Sequence, residues 1–400
     1  MHLPVQKVAS RLPAIRGLHF KRVPSVSLVS KLKLTLLSAE QLAAKLRRLP
    51  AAQRAHIRGF EQQARIATEL PVLLGLVPPH PAKSQVQQVA QLEGVYDDAA
   101  NRIYLVKDTV GKDPVEIQTV LAHELTHALD EQNVGPDHFQ FHPPLVEAAD
   151  AEHAVREGSA VLSQARYGIR YLGAFRPVSL YLQTTYPPPS GSRLARLAGE
   201  ELEFIYASGA RFVQALYRRG GWGLVDRALR NPPRTTASIL YPRRWPAHDV
   251  SVPPTGDPTA AFGAGWTRVL AGDMDAFSTE ELFSSTGPPS AAKKVVRDWI
   301  GGRVALWHRR GAKVDPGAPD HRAVAAVLQW RWRGTSDSAA AKAAIVTYLV
   351  RTFHATPAGG GTWRWPAGAA AFVSSGATTA LVLGPTPALA RAAAEAAARP

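Results

Sequence analysis

Two histidines and a glutamate in one short segment have the residue types and the spacing of a metal site. The segment VLAHELTHALDEQ carries His123 and His127 four residues apart, with Glu124 directly after the first. Because residues four apart project from one face of an α-helix, both imidazoles can bind one ion. Glu124 lies roughly 100° further around the helix, which favours a base that removes a proton from metal-bound water. An amphipathic helix with ordinary surface histidines is the alternative.

Zinc needs a third protein ligand, and a second predicted helix offers one. The chain contains no cysteine, so His, Asp or Glu must hold the ion. In the segment DAEHAVREGSAVL, Glu157 follows His127 by 30 residues and precedes a glycine, whose small size allows another helix to approach closely. Asp150 and His153 share a face with Glu157 and are candidates for orienting it. His153 is also the competing ligand, and an ordinary surface carboxylate is the alternative for Glu157.

Other side chains are candidates for supporting the reaction. Asp130, three residues after His127, is a possible acceptor for an imidazole proton. Tyr206 in FIYASGARF and Tyr241 in SILYP are possible hydrogen-bond donors to the oxyanion that hydrolysis produces. Packed aromatic rings with satisfied hydroxyls are the competing interpretation of both tyrosines. Three further histidines are interpreted as solvated loop residues: His138, His142 and His248.

HELTH followed by EGSA resembles the gluzincin group of zinc metallopeptidases, the thermolysin-like clan. The resemblance implies a zinc cofactor, with His123, His127 and Glu157 as the ligands and Glu124 as the base. It also implies that the strand before the motif, Arg102–Val106, is an edge strand along which a peptide substrate pairs.

A narrower resemblance covers about residues 90–245. The segments GVYD, IYLV, AHELTHALD, FVQALYRRGGW and NPPRTTASILYP are similar to those of uncharacterised bacterial proteins of a HELTHAL type. The chain departs from thermolysin in the longer spacing between His127 and the glutamate, and in Arg156, where an asparagine is expected. Together the resemblances predict a metallopeptidase, a hydrolase that cleaves peptide bonds through a zinc-bound water activated by Glu124.

Helices and a small sheet are expected to position these residues. Asp113 followed by Pro114 predicts the start of the helix that carries the motif. The segment GVYDDAANRIYLV has two β-prone runs around turn residues, which predicts a strand pair just before that helix. Further helices are predicted over 38–49, 51–70, 145–167, 193–219 and 220–229.

A change in composition divides the chain. Residues 248–272 are rich in Pro, Gly and Ala and mark the best boundary. Beyond it we expect strands near 304–308, 323–332, 362–365, 369–373 and 378–383, and helices near 291–299, 338–353 and 386–397. The predicted fold is therefore α+β. It has a basic N-terminal arm over 1–37, a mainly helical, zincin-like catalytic domain with a small edge-strand sheet over 38–250, and a smaller α+β domain over 251–400.

Charge and composition limit the partners. The net charge is +15, which supports weak electrostatic steering, but no zinc-finger, phosphate-loop or RNA-binding pattern predicts specific nucleic-acid binding.

No apolar stretch reaches the roughly 18 residues of a transmembrane segment. The first 39 residues hold seven Lys or Arg and no acid, without the apolar core of a secretory signal. Location stays open between the cytoplasm and, if a signal has been removed, secretion or the cell envelope. The oligomeric state also stays open.

Two other functions compete with a peptidase that acts on a peptide or protein substrate. One is a zinc-binding pseudo-enzyme or scaffold whose C-terminal domain binds a partner. Glu124 argues against it, because a purely structural zinc site needs no base. The other is a basic polyanion-binding protein in which the motif is incidental, and it predicts salt-dependent DNA binding without metal.

Overall fold

Helices and strands are both abundant in the structure, a computed structural model. It describes residues 3–30, 32–34, 36–37, 47, 49–80, 94–97, 100–107, 113–139, 142–173, 193–335 and 337–400. Helices hold 52% of the residues and strands 19%, which confirms the predicted α+β class. The helix predicted to begin at Ser38 lies outside the described residues. No described helix is both long enough and apolar enough to span a bilayer.

The first part of the chain combines helices with a three-stranded sheet. Its helices are α1 (Val5–Arg11), α2 (Pro13–Arg16), α3 (Ala51–Ala67), α4 (Glu69–Leu73), α5 (Pro114–Val134), α6 (Glu147–Tyr171), α7 (Arg193–Leu202), a π-helix (Glu203–Ser208), α8 (Gly209–Arg230) and α9 (Thr236–Leu240). Its strands are β1 (Ser25–Val29), β2 (Gly94–Asp97) and β3 (Arg102–Val106). The HELTH motif lies on α5 and Glu157 on α6, so these two helices position the candidate site.

Local sequence sets the limits of α5. The carboxylate of Asp113 accepts a hydrogen bond from a backbone amide of the first turn, and Pro114 occupies a position where its missing donor costs nothing. Gly135, with a φ of 123°, ends the helix in a conformation that favours glycine. The predicted start of this helix is therefore confirmed. Fully buried leucines on its inner face include Leu121, Leu125 and Leu129.

β3 is the central strand of the small sheet. The order is β1-β3-β2, with β1 parallel to β3 and β2 antiparallel to it. The predicted pairing of the two strands before α5 is confirmed, but both sides of β3 are paired. The expectation that Arg102–Val106 forms an edge for a substrate is therefore wrong, because β1 from the N-terminal segment occupies its second side.

The N-terminal segment packs into this part of the fold. Val8, Ala9 and Leu12 are buried in the same core as α5 and β3. The spacing of four residues between Val8 and Leu12 places both on one helical face between the basic residues. Residues 3–30 thus contribute two helices, a strand and buried side chains, whereas the sequence predicted a basic arm over 1–37.

The crossing of α6 and α8 depends on a glycine beside the candidate ligand. A Cβ added to Gly158 would lie less than 3.0 Å from the backbone carbonyl of Gly209. Because both helices meet through backbone atoms, Gly158→Ala should force them apart and destabilise the fold by about 1–3 kcal/mol in urea denaturation.

Gly223→Ala on α8 is the matched control for this prediction. A Cβ there meets nothing within 4 Å, so the substitution should be neutral or stabilise the helix by up to about 1 kcal/mol. Equal stability of the two variants would contradict the account of the crossing.

The remainder of the chain forms a seven-stranded antiparallel sheet with flanking helices. The strand order is β4-β5-β6-β10-β9-β8-β7. The strands are β4 (Trp266–Asp273), β5 (Trp299–Arg309), β6 (Val324–Trp332), β7 (Thr356–Gly359), β8 (Thr362–Trp365), β9 (Gly368–Ser375) and β10 (Thr378–Gly384). The helices are α10 (Thr259–Phe262), α11 (Ala276–Ser284), α12 (Pro289–Val296), α13 (Asp337–Phe353) and α14 (Pro387–Ala397). The sequence did not predict β4, β7, α10 or α11.

The core of this sheet extends to α4. Trp330 and Trp332 are fully buried on one face of β6 and form part of this core. Leu70 and Leu73 of α4 belong to the same apolar cluster. Contacts therefore cross the boundary predicted near residue 250, and the division into domains stays a prediction.

Candidate active site

Three donor atoms from α5 and α6 converge on one point. His123 Nε2 lies 3.1 Å from His127 Nε2 and 3.1 Å from Glu157 Oε2, and His127 Nε2 lies 3.4 Å from the same oxygen. We call this arrangement the His–His–Glu triangle. Among the described residues it is the group whose donor atoms could hold a metal ion. The side chains are 12%, 23% and 14% exposed, so solvent reaches the triangle.

The dimensions of the triangle fit a tetrahedral zinc ion. Zinc binds imidazole nitrogen and carboxylate oxygen at about 2.0–2.2 Å, which places neighbouring ligand atoms about 3.3–3.6 Å apart. The observed edges of 3.1, 3.1 and 3.4 Å are close to that range. Two nitrogens and one oxygen also form a donor set of catalytic zinc sites, which keep a fourth position for water or substrate.

Gln164 orients His123. Its Oε1 lies 3.3 Å from His123 Nδ1, and because an amide oxygen only accepts hydrogen bonds, Nδ1 carries the hydrogen. Nε2 therefore directs its lone pair into the triangle. Gln164 was not among the site residues predicted from the sequence. Its signal was the spacing of seven residues after Glu157, which places both on the same face of α6.

Replacing Gln164 with leucine should weaken zinc binding about 10–100-fold, because the substitution removes the acceptor that fixes the tautomer of His123. Competition with a chromogenic zinc chelator measures the change. Gln118→Leu is the control, since Gln118 is buried to a similar extent but bonds the carbonyl of Pro114. Equal zinc affinities of the two variants would contradict the orienting role.

Electrostatics favour positive charge at the triangle. Burial opposes a charge on His127, but the Glu157 carboxylate outweighs burial and raises the pKa of His127 to about 9. The Glu124 carboxylate contributes to the same rise, which indicates that it lies near His127. Burial also opposes a charge on Glu157, yet His127 and hydrogen bonds from three imidazoles hold the pKa of Glu157 well below its usual range.

His153 and Asp150 take different positions on α6. His153 Nε2 lies 3.6 Å from Glu157 Oε1, whereas the triangle uses Oε2. His153 therefore contacts the Glu157 carboxylate from outside the triangle, and its orienting role stays a prediction. Asp150 lines an apolar cavity together with Phe204 and interacts electrostatically with His153, and its orienting role stays a prediction.

Asp130 connects α5 to α6 and to the N-terminal segment. Its Oδ2 accepts a hydrogen bond of 2.6 Å from Ser159 Oγ, and its Oδ1 lies 2.8 Å from Arg16 Nε. These contacts differ from the predicted bond to an imidazole proton. Ser159 follows Glu157 by two residues, so Asp130 links the helix that carries His123 and His127 to the helix that carries Glu157. Arg16 has no local signal in the sequence, because it reaches Asp130 only through the fold.

The two candidate tyrosines have different surroundings. The ring of Tyr206 lies with its centroid 6.2 Å from that of His123, and the residue belongs to the π-helix. Such π-helical turns are frequent at functional sites. The hydroxyl of Tyr241 instead donates to the carbonyl of Lys293 at 3.2 Å, and its ring faces Arg244. The structure thus brings Tyr206 to the site and places Tyr241 against α12.

Arg156, at the position where the resemblance expects asparagine, anchors the loop between α5 and α6. It forms an ion pair of 2.8 Å with Glu152 and donates to the carbonyl of Pro136. Glu152 also binds the backbone amide and the ring of His138. His138 is therefore tied to α6, unlike the free loop residue that the sequence suggested. The other two loop histidines, His142 and His248, are exposed as expected.

We compared the chain with protein-family models, with curated proteins and with solved structures, and none of the three comparisons found a match.

Proposed function

We propose that the protein is a zinc-dependent hydrolase that cleaves peptide bonds. The single observation that carries the proposal is the His–His–Glu triangle, whose edges suit tetrahedral zinc and whose side chains remain partly open to solvent. The resemblance of HELTH and EGSA to gluzincins supports the choice of peptide substrates. Zinc would supply Lewis acidity at this point, by making water acidic near neutral pH and by polarising a carbonyl.

Glu124 is the proposed general base. It is buried, and it lies close enough to His127 to affect the pKa of that imidazole. A carboxylate in this position can accept the proton of the attacking water and then donate it to the departing amine. Glu124 thus adds proton transfer to metal binding, which separates a hydrolase from a purely structural zinc site.

Tyr206 is the proposed donor to the oxyanion. Its ring lies beside His123 at the edge of the triangle, and a phenolic hydroxyl can donate a hydrogen bond to the negative charge that develops on the carbonyl oxygen. Tyr241 does not share this role, because its hydroxyl binds Lys293.

Metal analysis and turnover of the same preparation test the proposal. We expect about one zinc per chain, and we expect cleavage of casein and of a mixed fluorogenic peptide library. Chelation should remove the cleavage and added zinc should restore it. His127→Ala should lose both zinc and turnover, whereas His142→Ala, at an exposed loop position, should keep both.

Two results would overturn the proposal. Zinc bound without turnover on any peptide would favour the scaffold. Turnover that survives complete removal of metal would place the chemistry elsewhere in the chain.

A further inference from the structure

A basic surface lies where the N-terminal helices meet α6 and α8. The stretches that build it contain no acidic residue: α1, α2, α6 from Gly158 onward, and α8 as far as Val225. The next acid along α8, Asp226, pairs with the buried Arg16 at 2.6 Å. A surface assembled from acid-free stretches concentrates positive charge, in a chain whose net charge is +15.

Three arginines of this surface stack on aromatic rings. Arg11 and Arg170 both lie over the ring of Tyr171, at 4.6 and 5.5 Å from its centroid. Arg166 lies over the ring of Tyr217 at 4.5 Å. Because Arg166 and Arg170 are four residues apart on α6, they project from the same side of that helix. Stacking restrains each guanidinium group, so less side-chain entropy is lost when the group binds an anion.

A break in α8 completes the surface. Gly221 has a φ of 62°, a left-handed conformation that favours glycine. On a continuous helix Tyr217 and Trp222 would point about 140° apart, but the break lets their rings meet at a centroid distance of 5.1 Å. The indole Nε1 of Trp222 donates to the carbonyl of Ile15 at 2.6 Å, which joins α8 to α2. We call the assembled set the arginine–aromatic face; its members are Arg11, Arg166, Arg170, Tyr171, Tyr217 and Trp222.

The positive charge of the arginine–aromatic face lacks compensation within the described part of the chain. None of its three arginines forms an ion pair with a described carboxylate. The Nε of Arg166 is buried and has no hydrogen-bond acceptor among the described residues. Arg170 is exposed, and the three aromatic residues are half-buried, so part of each of these side chains stays open to solvent. The face thus offers charge, hydrogen-bond donors and flat apolar groups to one partner.

Single-stranded nucleic acid matches this combination of groups. Guanidinium groups bind phosphates, and unstacked bases pack on aromatic rings and on guanidinium planes. In a duplex the bases are already stacked inside and cannot reach the rings. A membrane surface would require exposed apolar side chains that insert between lipids. Among the described residues, Ile169 is the one exposed large aliphatic side chain on α1, α2, α6 or α8.

We propose that the arginine–aromatic face binds single-stranded nucleic acid without regard to base sequence. Phosphates would contact the three arginines, and bases would stack on the neighbouring rings. Such binding uses no hydrogen bonds to base edges, so it requires none of the sequence motifs for specific recognition. Arg170 follows Glu157 by 13 residues, about 20 Å along α6. The face is therefore separate from the His–His–Glu triangle, and the proposal does not depend on peptide hydrolysis.

Fluorescence anisotropy with three labelled probes of twelve nucleotides tests the chemistry: oligothymidylate, an abasic strand and a duplex. We expect oligothymidylate to bind at least about 10-fold more tightly than the abasic strand, because its bases add stacking to the same phosphates. We expect the duplex to bind more weakly than oligothymidylate. The logarithm of the affinity should fall against that of the salt concentration with a slope of about −2, from three phosphate contacts. Equal binding of oligothymidylate and the abasic strand, or tighter binding of the duplex, would overturn the proposal.

Matched variants separate the face from the net charge of the chain. Replacing all three of its arginines with glutamine should weaken oligothymidylate binding at least about 10-fold and bring the salt slope close to zero. The control replaces Arg309, Arg322 and Arg364 with glutamine, which removes the same charge from exposed positions of the C-terminal part. Its affinity should change less than about 2-fold. Equal losses in the two variants would overturn the proposal.

Two measurements on the unaltered chain do not rely on the folding of a variant. Photo-crosslinking to an oligonucleotide that carries 5-iodouracil, followed by mass spectrometry, should place the crosslinks at Tyr171, Tyr217 or Trp222. Crosslinks confined to other parts of the chain would overturn the proposal. Co-sedimentation with vesicles of phosphatidylcholine and phosphatidylserine tests the competing partner. Binding to these vesicles without binding to oligothymidylate would assign the face to a membrane surface and would also overturn the proposal.

Discussion

Replacing Glu124 with glutamine should leave zinc binding unchanged and reduce peptide hydrolysis about 10²–10⁴-fold, the usual contribution of a general base. Glutamine has almost the same shape as glutamate, so the buried position beside His127 should tolerate it. The amide cannot accept the proton of the attacking water, and this step alone should be lost. Zinc content and the ratio kcat/KM on a single fluorogenic peptide measure the two effects separately.

Glu116→Gln is the matched control for Glu124→Gln. It makes the same chemical change on α5, eight residues earlier at an exposed position, and should alter neither zinc content nor turnover. If Glu124→Gln lost zinc together with activity, Glu124 would be part of the metal site. If it kept full turnover, the base would have to be another residue.

The convergence of His123 and His127 could be predicted because it is local. Side chains separated by four residues on one helix point in the same direction. The Asp113-Pro114 start and the buried leucines show that these residues lie on a helix. Glu157 required one further step, since only the glycine after it suggested that another helix packs close to α6. The close approach of Gly209 at that position matches this suggestion.

Roles that depend on distant parts of the chain could not be predicted in the same way. Asp130 has a suitable spacing from His127, but Ser159 and Arg16 occupy its oxygens. Tyr206 and Tyr241 were equivalent in the sequence, because only the path of the chain after α6 decides which of them reaches His123. For these residues, spacing along a helix therefore predicted the position of a side chain better than residue type did.

The small sheet illustrates the same limit. The pairing of β2 with β3 follows from a short turn between adjacent strands. β1 and β3 pair although they lie far apart in the sequence, so no local sequence pattern predicts their pairing. In the C-terminal sheet, β4 (WTRVLAGD) was not predicted because it lies in a stretch rich in Gly, Ala and Pro. Its pairing with β5 stabilises a strand that the local sequence does not favour.

Replacing Arg16 with methionine should destabilise the folded chain by about 3–5 kcal/mol, the cost of removing one partner from a buried ion pair. Arg16 is fully buried, with Nε 2.8 Å from Asp130 and Nη2 2.6 Å from Asp226. Burial already raises the pKa of Asp130 despite the opposing charge of Arg16. Methionine keeps much of the apolar volume but leaves both carboxylates without their cation. Urea denaturation in the presence of a chelator measures the loss without a contribution from zinc.

Two comparisons separate the buried charge from a general effect of losing an arginine. Arg211→Met removes an exposed ion pair with Glu203 and should cost at most about 1 kcal/mol. Asp226→Asn added to Arg16→Met should recover part of the lost stability, because it removes one uncompensated charge. Because Asp130 also fixes α5 to α6 through Ser159, Arg16→Met should weaken zinc binding in the folded protein as well. Equal losses of stability in Arg16→Met and Arg211→Met would mean that the N-terminal segment packs on α5 without supporting the site.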